Sequence, residues 1–230
     1  MLTCFQGLML DPVYWTVLAV STIAAAVAFW TLKFQEFHGK IYYALTFLGM
    51  IWTLMMVGAE AATPAYACQM QQAQLAWLGH GMVPVAWSFF IFEYVGPSSR
   101  SRGWVSLLAL IAVPLAAFGL AATNDWHHLI YTAETALQPG DDQITFEHGP
   151  GYFLVLAGLY CFVMATLIWL GRAFFRAKRA AWPLLTMLVV ITLIPLGANA
   201  AYALLGFTVV GLDPTAFMFT LGIFAFSWLL

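Results

Sequence analysis

The chain has 230 residues, of which 63% are hydrophobic and 8% are charged, whereas about 25% of the residues of an average soluble domain are charged. This composition excludes a soluble globular protein, because so few charged side chains cannot cover its surface. The formal net charge is −2. The Lys and Arg residues form short clusters and no continuous basic patch, so we expect no nucleic-acid partner. The composition therefore indicates a protein embedded in a lipid bilayer.

Seven apolar segments each approach the length of about 20 residues with which an α-helix crosses a bilayer. We predict an all-α membrane protein, a bundle of seven transmembrane helices that forms one domain over residues 1–230. The helices are predicted near residues 12–32, 41–62, 73–95, 104–122, 151–171, 182–205 and 215–230. The first ten residues contain no Lys or Arg, so we expect the first helix to direct insertion without a cleavable signal peptide. The seventh segment is still apolar at Leu230, so we expect a cytoplasmic output module to follow it.

The eight basic residues all lie in the first, third and fifth connections between the predicted helices. They are Lys33, Lys40, Arg100, Arg102, Arg172, Arg176, Lys178 and Arg179. Lys and Arg side chains are retained on the cytoplasmic side during membrane insertion. The pattern therefore predicts an N-terminus outside the cell and a C-terminus in the cytoplasm.

The fourth connection, residues 123–150, is too long for a passive link. It contains a β-branched and aromatic run, a turn with the sequence PGDD and a second run with the sequence QITFEH, which together predict a β-hairpin. Across the mouth of a helix bundle, this hairpin would be either a lid or an ordered loop. His127, His128, Glu147 and His148 lie at its two ends, and such side chains bind zinc. Their spacing matches no established ligand motif, so we expect no metal and no cofactor.

Two of the three cysteines, Cys4 and Cys68, fall outside the cell by this topology, where a disulfide can persist. They either form such a bridge or remain free thiols. A bridge would tie the N-terminal tail to the connection before the third helix. Cys161 lies inside the fifth predicted helix, where we expect a packing residue.

Three strongly polar residues fall at membrane depth, where their burial is costly, so each is a candidate functional residue. Glu60 lies near the outer end of the second helix, and His80 and Asn199 lie deeper, His80 by about 10 Å at 1.5 Å per residue. Aromatic or flexible residues share their helix faces at helical spacing. These are Trp52 and Met56 with Glu60, Trp77 with His80, and Tyr202 with Asn199. The pattern predicts an aromatic-walled recess that opens to the outside between the second, third, sixth and seventh helices.

Each of these residues also has a purely structural interpretation. His80 and Asn199 could form interhelical hydrogen bonds and nothing more, and Glu60 could lie solvated among the lipid headgroups. Pro84 and Pro195 each free a backbone carbonyl one turn earlier, and we predict that both prolines act as hinges.

Five segments of the chain are similar to those of a known family. They are AWLGHGMVPVAWSFFIFEYVG, TNDWHHLIY, FEHGPGYF, PLGANAAYALLG and GLDPTAFMFTLG. In the order and spacing of these segments, nearly the whole chain resembles the N-terminal seven-helix sensor region of bacterial membrane histidine kinases. The same region is also found ahead of diguanylate cyclase modules. The chain departs from the family at Asp125 and Trp126, where Pro-Leu is usual.

The resemblance implies a receptor domain in the bacterial inner membrane that takes a signal from outside, works as a homodimer and controls a cytoplasmic catalytic module. The segment itself is then not an enzyme. By analogy, the residues that face the pocket would be Glu60, Trp77, His80, Asn199 and Tyr202. The residues implied at its mouth or lid are His127, Glu147 and Asp213, with which we group His128.

Three functions are compatible with these observations, and a signal-sensing receptor is our leading hypothesis. A small molecule would enter below the lid, and the seventh helix would pass the signal on. The walls offer aromatic rings, a carboxylate and an imidazole but no cation, so a neutral or cationic amphipathic molecule fits better than a phosphate-rich anion. The second function is a membrane anchor and dimerisation scaffold without a ligand. The third is a carrier or channel, which needs a polar path through both halves of the membrane, whereas the inner halves of these helices are almost wholly apolar.

Overall fold

The computed structural model describes residue 4 and residues 12–96, 103–137, 144–207 and 214–229. Within these ranges the chain forms eight α-helices and two short β-strands. The helices are α1 (Pro12–Phe34), α2 (Lys40–Ala61), α3 (Tyr66–Val95), α4 (Trp104–Ala122), α5 (Asn124–His127), α6 (Pro150–Arg176), α7 (Trp182–Leu205) and α8 (Thr215–Leu229). The strands between α5 and α6 are β1 (Ala136–Leu137) and β2 (Ile144–Thr145).

Six of these helices, α1, α2, α3, α4, α6 and α7, are long and apolar enough to cross a membrane. Helix α8 has 15 described residues, fewer than the about 20 that span a bilayer, so a seventh span stays a prediction. Large apolar side chains are exposed along α4. They include Trp104, Leu107, Ile111 and Leu115. A water-soluble protein rarely exposes so large an apolar surface, whereas lipid solvates it, so the structure is that of a mostly helical, multi-pass membrane protein.

Two helices extend by five or more residues beyond their predicted segments. Helix α3 begins at Tyr66, seven residues before the predicted start. The prediction began where the apolar run begins, but the polar Gln69 before it is also buried in the helix, because its side chain is hydrogen-bonded. Its amide Nε2 donates to the carbonyl oxygen of Thr63 at 2.5 Å, and its Oε1 accepts from the backbone N–H of Ile144 at 2.9 Å. Helix α6 runs to Arg176, five residues past the predicted end, since a long basic side chain at a helix end keeps its charge in water.

The described Lys and Arg residues gather at one end of the bundle, which we call the basic end. Gly39, between α1 and α2, lies against Phe90 and Glu93 near the end of α3. Arg172 and Arg176 of α6 border a groove beside that same end of α3. We call the opposite end the distal end, and it carries the start of α3 and the connection between α4 and α6. The cytoplasmic position of the basic end stays a prediction from the charge pattern.

Close backbone contacts hold the central helices α2 and α3 in place. A Cβ atom at Gly79 of α3 would lie 2.5 Å from the carbonyl oxygen of Gly49 in α2 and would also collide with the hydroxyl of Thr53. A Cβ atom at Gly58 would lie 2.8 Å from a methyl carbon of Val17 in α1. Small residues at such crossings let membrane helices approach closely and gain dispersion contacts. Glycine therefore sets the spacing of α1, α2 and α3.

Aromatic side chains fill the bundle toward the basic end. This aromatic core comprises Phe37, Tyr43, Phe47, Trp87, Phe90, Tyr94 and Phe226. The ring centroid of Phe226, on α8, lies 5.6 Å from that of Phe90 and 6.1 Å from that of Tyr43. The hydroxyl oxygens of Tyr43 and Ser227 are 2.5 Å apart and share a hydrogen bond. These contacts attach the end of α8 to α2 and α3.

We call residues 123–149 the connecting segment, and its described parts, 123–137 and 144–149, pair with each other at the distal end. Strands β1 and β2 pair antiparallel over two residues each, with Ala136 opposite Thr145. Nearer the bundle, Tyr131 forms an antiparallel bridge with His148. The turn of the predicted hairpin, residues 138–143, lies outside the described residues.

Two further features attach chain segments at this end. The side-chain Oδ1 of buried Asn124 accepts from the backbone N–H groups of Ile130 and Tyr131 at 2.9 and 3.0 Å, and its Nδ2 donates to the carbonyl of Tyr131 at 2.9 Å. Of the two alternatives for Cys4 and Cys68, the structure has the disulfide, with Cα atoms 5.4 Å apart. The bridge joins the N-terminal tail to the first turns of α3.

Candidate functional site

A cavity of about 600 Å³ lies between α2, α3, α6 and α7 near the distal end, bordered by the connecting segment. This volume is in the range of small-molecule sites in proteins. The predicted residues that line it are Glu60, Trp77, His80, Pro84, Glu147, Pro195, Asn199 and Tyr202. The predicted convergence of polar residues from different helices is therefore present in the structure.

The polar side chains of α2 and α3 lie at different depths in the cavity. Thr53 packs on Gly79, so the adjacent His80 lies at about the level of Thr53. Glu60 is seven residues further along α2, which places it about 10 Å nearer the distal end at 1.5 Å per residue. The carboxylate of Glu60 thus lies toward the connecting segment, and the imidazole of His80 lies deeper in the bundle.

Aromatic side chains form the wall between these two levels. The indole N–H of Trp77 donates to the hydroxyl of Tyr131 at 2.9 Å, and the ring of Tyr152 packs edge-on against Trp77 at 5.7 Å between centroids. The imidazole of His148 lies on Tyr152 at 3.8 Å and meets Tyr202 edge-on at 5.8 Å. Tyr131 and Tyr152 are only 7% and 5% exposed. These rings pack against one another, so the position of each ring in the wall depends on its neighbours.

Two hydrogen bonds close the deeper part of the cavity. The hydroxyl of Tyr160 in α6 donates to the Oδ1 of Asn199 in α7 at 2.8 Å. The indole N–H of Trp87 in α3 donates to the hydroxyl of Thr192 in α7 at 3.0 Å. Asn199 therefore has the interhelical hydrogen bond of its structural interpretation and also lines the cavity.

The two proline positions border the same cavity. Pro84 and Pro195 both lie inside continuous helices, α3 and α7 respectively. A proline removes one hydrogen bond of the helix and leaves a carbonyl without its usual partner. The role of these prolines as hinges stays a prediction.

Trp52 and Met56 do not line the cavity, contrary to the prediction. The indole N–H of Trp52 donates to the carbonyl of Leu75 at 2.8 Å, and Met56 packs into an apolar cluster between α2 and α3. Each residue turns a helix by about 100°, so two steps of four residues place Trp52 about 80° away from Glu60 around the axis. The face of α2 that borders the cavity carries Val57 instead.

The two adjacent histidines are also absent from the cavity lining. The ring Nε2 of His127 lies 3.1 Å from the hydroxyl of Thr123, and its Nδ1 accepts from the backbone N–H of Leu129 at 3.0 Å. His128 is exposed and has a left-handed backbone, with φ of 50°. Both residues thus form the turn after α5 and do not reach the mouth of the cavity. Asp213 lies outside the described residues.

Helix α6 forms one wall of the cavity. The sequence predicts that the seventh membrane helix, which corresponds to α8, forms this wall, and not the fifth, which corresponds to α6. The residues of α6 that line the cavity are Tyr152, Leu156, Leu159, Tyr160 and Val163. Their spacing is that of one helix face, but apolar residues at this spacing also face lipid, so the pattern is ambiguous in a membrane protein. Of α8, Thr215 is the only described residue in the lining. Tyr131 and Phe146 of the connecting segment also line the cavity, and no periodic signal indicated them.

The charged groups of the site are unequally distributed. The described part of the lining contains the carboxylates of Glu60 and Glu147, the imidazoles of His80 and His148, and no Lys or Arg. Among the described residues, no group of three or more His, Cys, Asp or Glu side chains is placed to hold a metal ion. The arrangement can bind a small organic molecule through aromatic contacts, hydrogen bonds and negative charge.

Six long apolar helices, four of which enclose a polar, aromatic-walled cavity, define a multi-pass membrane domain with the architecture of a binding site. A family model described as the N-terminal 7TM region of histidine kinase matches residues 16–230. Since the match covers nearly the whole chain, the chain belongs to this family, and the predicted resemblance is confirmed. No curated protein matches the chain. The domain is therefore a membrane sensor region and not itself the catalytic part of a kinase.

Proposed function

We propose that this domain is the receptor of a bacterial sensor histidine kinase, or of a diguanylate cyclase with the same input region, in the inner membrane. A small molecule enters the cavity from outside the cell. Binding favours one arrangement of the helices, and α8 passes this change to a cytoplasmic module, in a homodimer. A ligand shifts such an equilibrium only through different affinities for the two arrangements.

The observation that carries the proposal is the cavity itself. It has a volume of about 600 Å³ and is lined by residues of five helices, α2, α3, α6, α7 and α8, and of the connecting segment. Its aromatic wall is ordered by contacts such as that between Trp77 and Tyr131. A domain that only anchored and dimerised an enzyme needs no such cavity, whereas a receptor needs one of this size. A polar, aromatic-walled cavity therefore supports the receptor over the scaffold.

A continuous set of contacts between the cavity and α8 supports the relay. Trp87 lines the cavity, and its ring centroid lies 5.2 Å from that of Phe90. Phe90 in turn contacts Phe226 of α8 at 5.6 Å. Close-packed interiors transmit displacements because side chains have little free volume. A ligand that moves Trp87 would therefore move rings that touch α8.

The same aromatic core argues against a carrier or channel. A transport path needs polar or water-filled space through both halves of the bundle. Toward the basic end, Phe47 and Phe90 are at most 2% exposed and fill the space between α2 and α3. The polar cavity ends at this core.

The proposal is tested by closing the cavity and measuring what co-purifies with the protein. Ala203 of α7 lines the cavity, so A203F places a phenyl ring in it. Gly197 of the same helix is exposed, and a Cβ atom there meets no atom within 4 Å, so G197F adds the same ring outside the cavity. Mass spectrometry then quantifies small molecules extracted from each purified variant and from the parent chain.

We expect one compound to accompany the parent chain and G197F and to fall by about tenfold or more in A203F, because overpacking costs about 1–3 kcal/mol and 1.4 kcal/mol is one decade of affinity. Equal recovery from A203F, or no compound shared by the parent chain and G197F, would contradict a ligand in this cavity.

A further inference from the structure

We infer that the molecule bound in the cavity is an organic amine, with its ammonium group toward Glu60 and Glu147 and its apolar, preferably aromatic, body deeper against Trp77 and Tyr152. This inference rests on the proposed function, since it names the chemical class of ligand for the same cavity.

The charges of the cavity favour a cation over a neutral molecule or an anion. Glu60 and Glu147 line it, and no described Lys or Arg does. Lys40, the basic residue at the start of α2, is twenty residues from Glu60, which is about 30 Å along the helix. A concave site with low-dielectric walls focuses the field of its own charges. The described lining thus offers an ammonium group two carboxylates, beside the imidazoles of His80 and His148, whereas an anionic ligand would meet no Lys or Arg.

The depth of each group gives the ligand an orientation. Glu60 lies about 10 Å nearer the distal end than His80, at 1.5 Å per residue. Glu147 belongs to the connecting segment, next to His148, whose ring lies on Tyr152. Both carboxylates are therefore on the side of the connecting segment, where a molecule from the distal end arrives. The aromatic rings come next along its path.

The aromatic wall suits the apolar body of the same molecule. Trp77 and Tyr152 line the cavity and are each 5% exposed, so they present narrow apolar surfaces to it. The ring of His148 already lies on Tyr152, so an apolar or aromatic ligand body would pack against the parts of these rings that border the cavity. Carboxylates at the mouth and rings below them thus select a molecule with a cationic head and an apolar body.

Three indole compounds of similar size that differ in charge test the inference. Tryptamine carries an ammonium group, tryptophol a neutral hydroxyl and indole-3-acetate a carboxylate. Each is titrated by calorimetry into the chain held in nanodiscs of zwitterionic lipid. E60Q removes one carboxylate of the lining, and E147Q removes the other. Because Glu147 is exposed, we expect E147Q to fold like the parent chain. E134Q is the matched control, because Glu134 belongs to the same connecting segment but does not line the cavity.

We expect tryptamine to bind saturably and at least about tenfold more tightly than tryptophol, with indole-3-acetate weakest. E60Q and E147Q should each weaken tryptamine binding by about tenfold and leave tryptophol unchanged, and E134Q should match the parent chain. Binding of tryptophol or indole-3-acetate as tightly as tryptamine would overturn the amine class and leave the receptor proposal intact. Absence of saturable tryptamine binding, or unchanged affinity in both glutamine variants, would also overturn it. The receptor proposal fails separately, through equal recovery of the co-purifying compound from A203F.

Discussion

Two buried amide side chains fix the fold of the connecting segment. Asn124 and Gln69 are 3% and 1% exposed. Asn124 binds backbone groups of Ile130 and Tyr131 within the segment, and Gln69 of α3 binds the backbone N–H of Ile144. A buried backbone donor that loses its partner costs about 1–3 kcal/mol. Since Asn124 fixes Tyr131, which receives the hydrogen bond of Trp77, it also positions one wall of the cavity.

Replacement of Asn124 by Ala should therefore loosen the connecting segment. We expect N124A to lower the protection of the amides of residues 129–137 by about 1–3 kcal/mol in hydrogen exchange, because the N–H groups of Ile130 and Tyr131 lose their acceptor. D125A is the control, since Asp125 is exposed. Equal protection in N124A and the parent chain would show that Asn124 does not hold the segment.

At the residue scale, a polar side chain can be identified from the sequence as a candidate site residue when its neighbours along the chain are apolar. Glu60, His80 and Asn199 are conspicuous for this reason, and all three line the cavity. Asn124 is not conspicuous, because an asparagine in a polar connection is ordinary and its burial depends on distant segments. Trp52 was misplaced because a face drawn in steps of four residues drifts around the helix by about 40° at each step.

At the scale of elements, the crossing of α2 and α3 sets the width of the cavity. The two helices touch through Gly79, Gly49 and Thr53, and on the distal side of this contact they carry Glu60 and Trp77 into the lining. A larger residue at the crossing would push the two helices apart. Both the stability of the bundle and the geometry of the cavity depend on this contact.

We expect G79A to destabilise the domain by about 1–3 kcal/mol, the usual cost of overpacking a close contact. G197A, in the same kind of helix but facing open space, should be neutral or stabilise by up to about 1 kcal/mol, because alanine favours helix more than glycine does. Denaturation by SDS in mixed micelles measures both changes. A G79A variant as stable as G197A would be incompatible with the observed helix spacing.

At this scale, the sequence predicts seven membrane helices, and six of them are observed near their predicted positions and are long enough to span a membrane, because a run of apolar residues has no alternative environment. It misses the first turns of α3, because the polar Gln69 is buried there by hydrogen bonds that an apolar pattern does not show. One partner, Thr63, lies in the loop before the helix, and the other, Ile144, is 75 residues away. It also misses α6 as a cavity wall. A helix face that contacts lipid and a helix face that lines this cavity through Leu156 and Leu159 both carry apolar residues. Apolar periodicity therefore cannot distinguish the two kinds of face.

At the scale of the whole molecule, the described residues divide into a basic end and a distal end that carries the cavity. The described Lys and Arg side chains lie at the first, and Glu60 and Glu147 line the cavity near the second. Contacts from Trp87 through Phe90 to Phe226 join the two. This division suits the proposed receptor, which needs an input and an output on opposite sides of a membrane.

The account depends most on the cavity facing the outside of the cell, and cysteine labelling in intact bacteria measures this directly. Thr145 is exposed and lines the cavity, and Lys178 is exposed at the basic end. In a C161A background, we expect a membrane-impermeant maleimide to label T145C in intact cells and to label K178C only after the membrane is permeabilised, because basic residues are retained in the cytoplasm. If K178C were labelled in intact cells and T145C only after permeabilisation, the cavity would face the cytoplasm, which would contradict the proposed orientation.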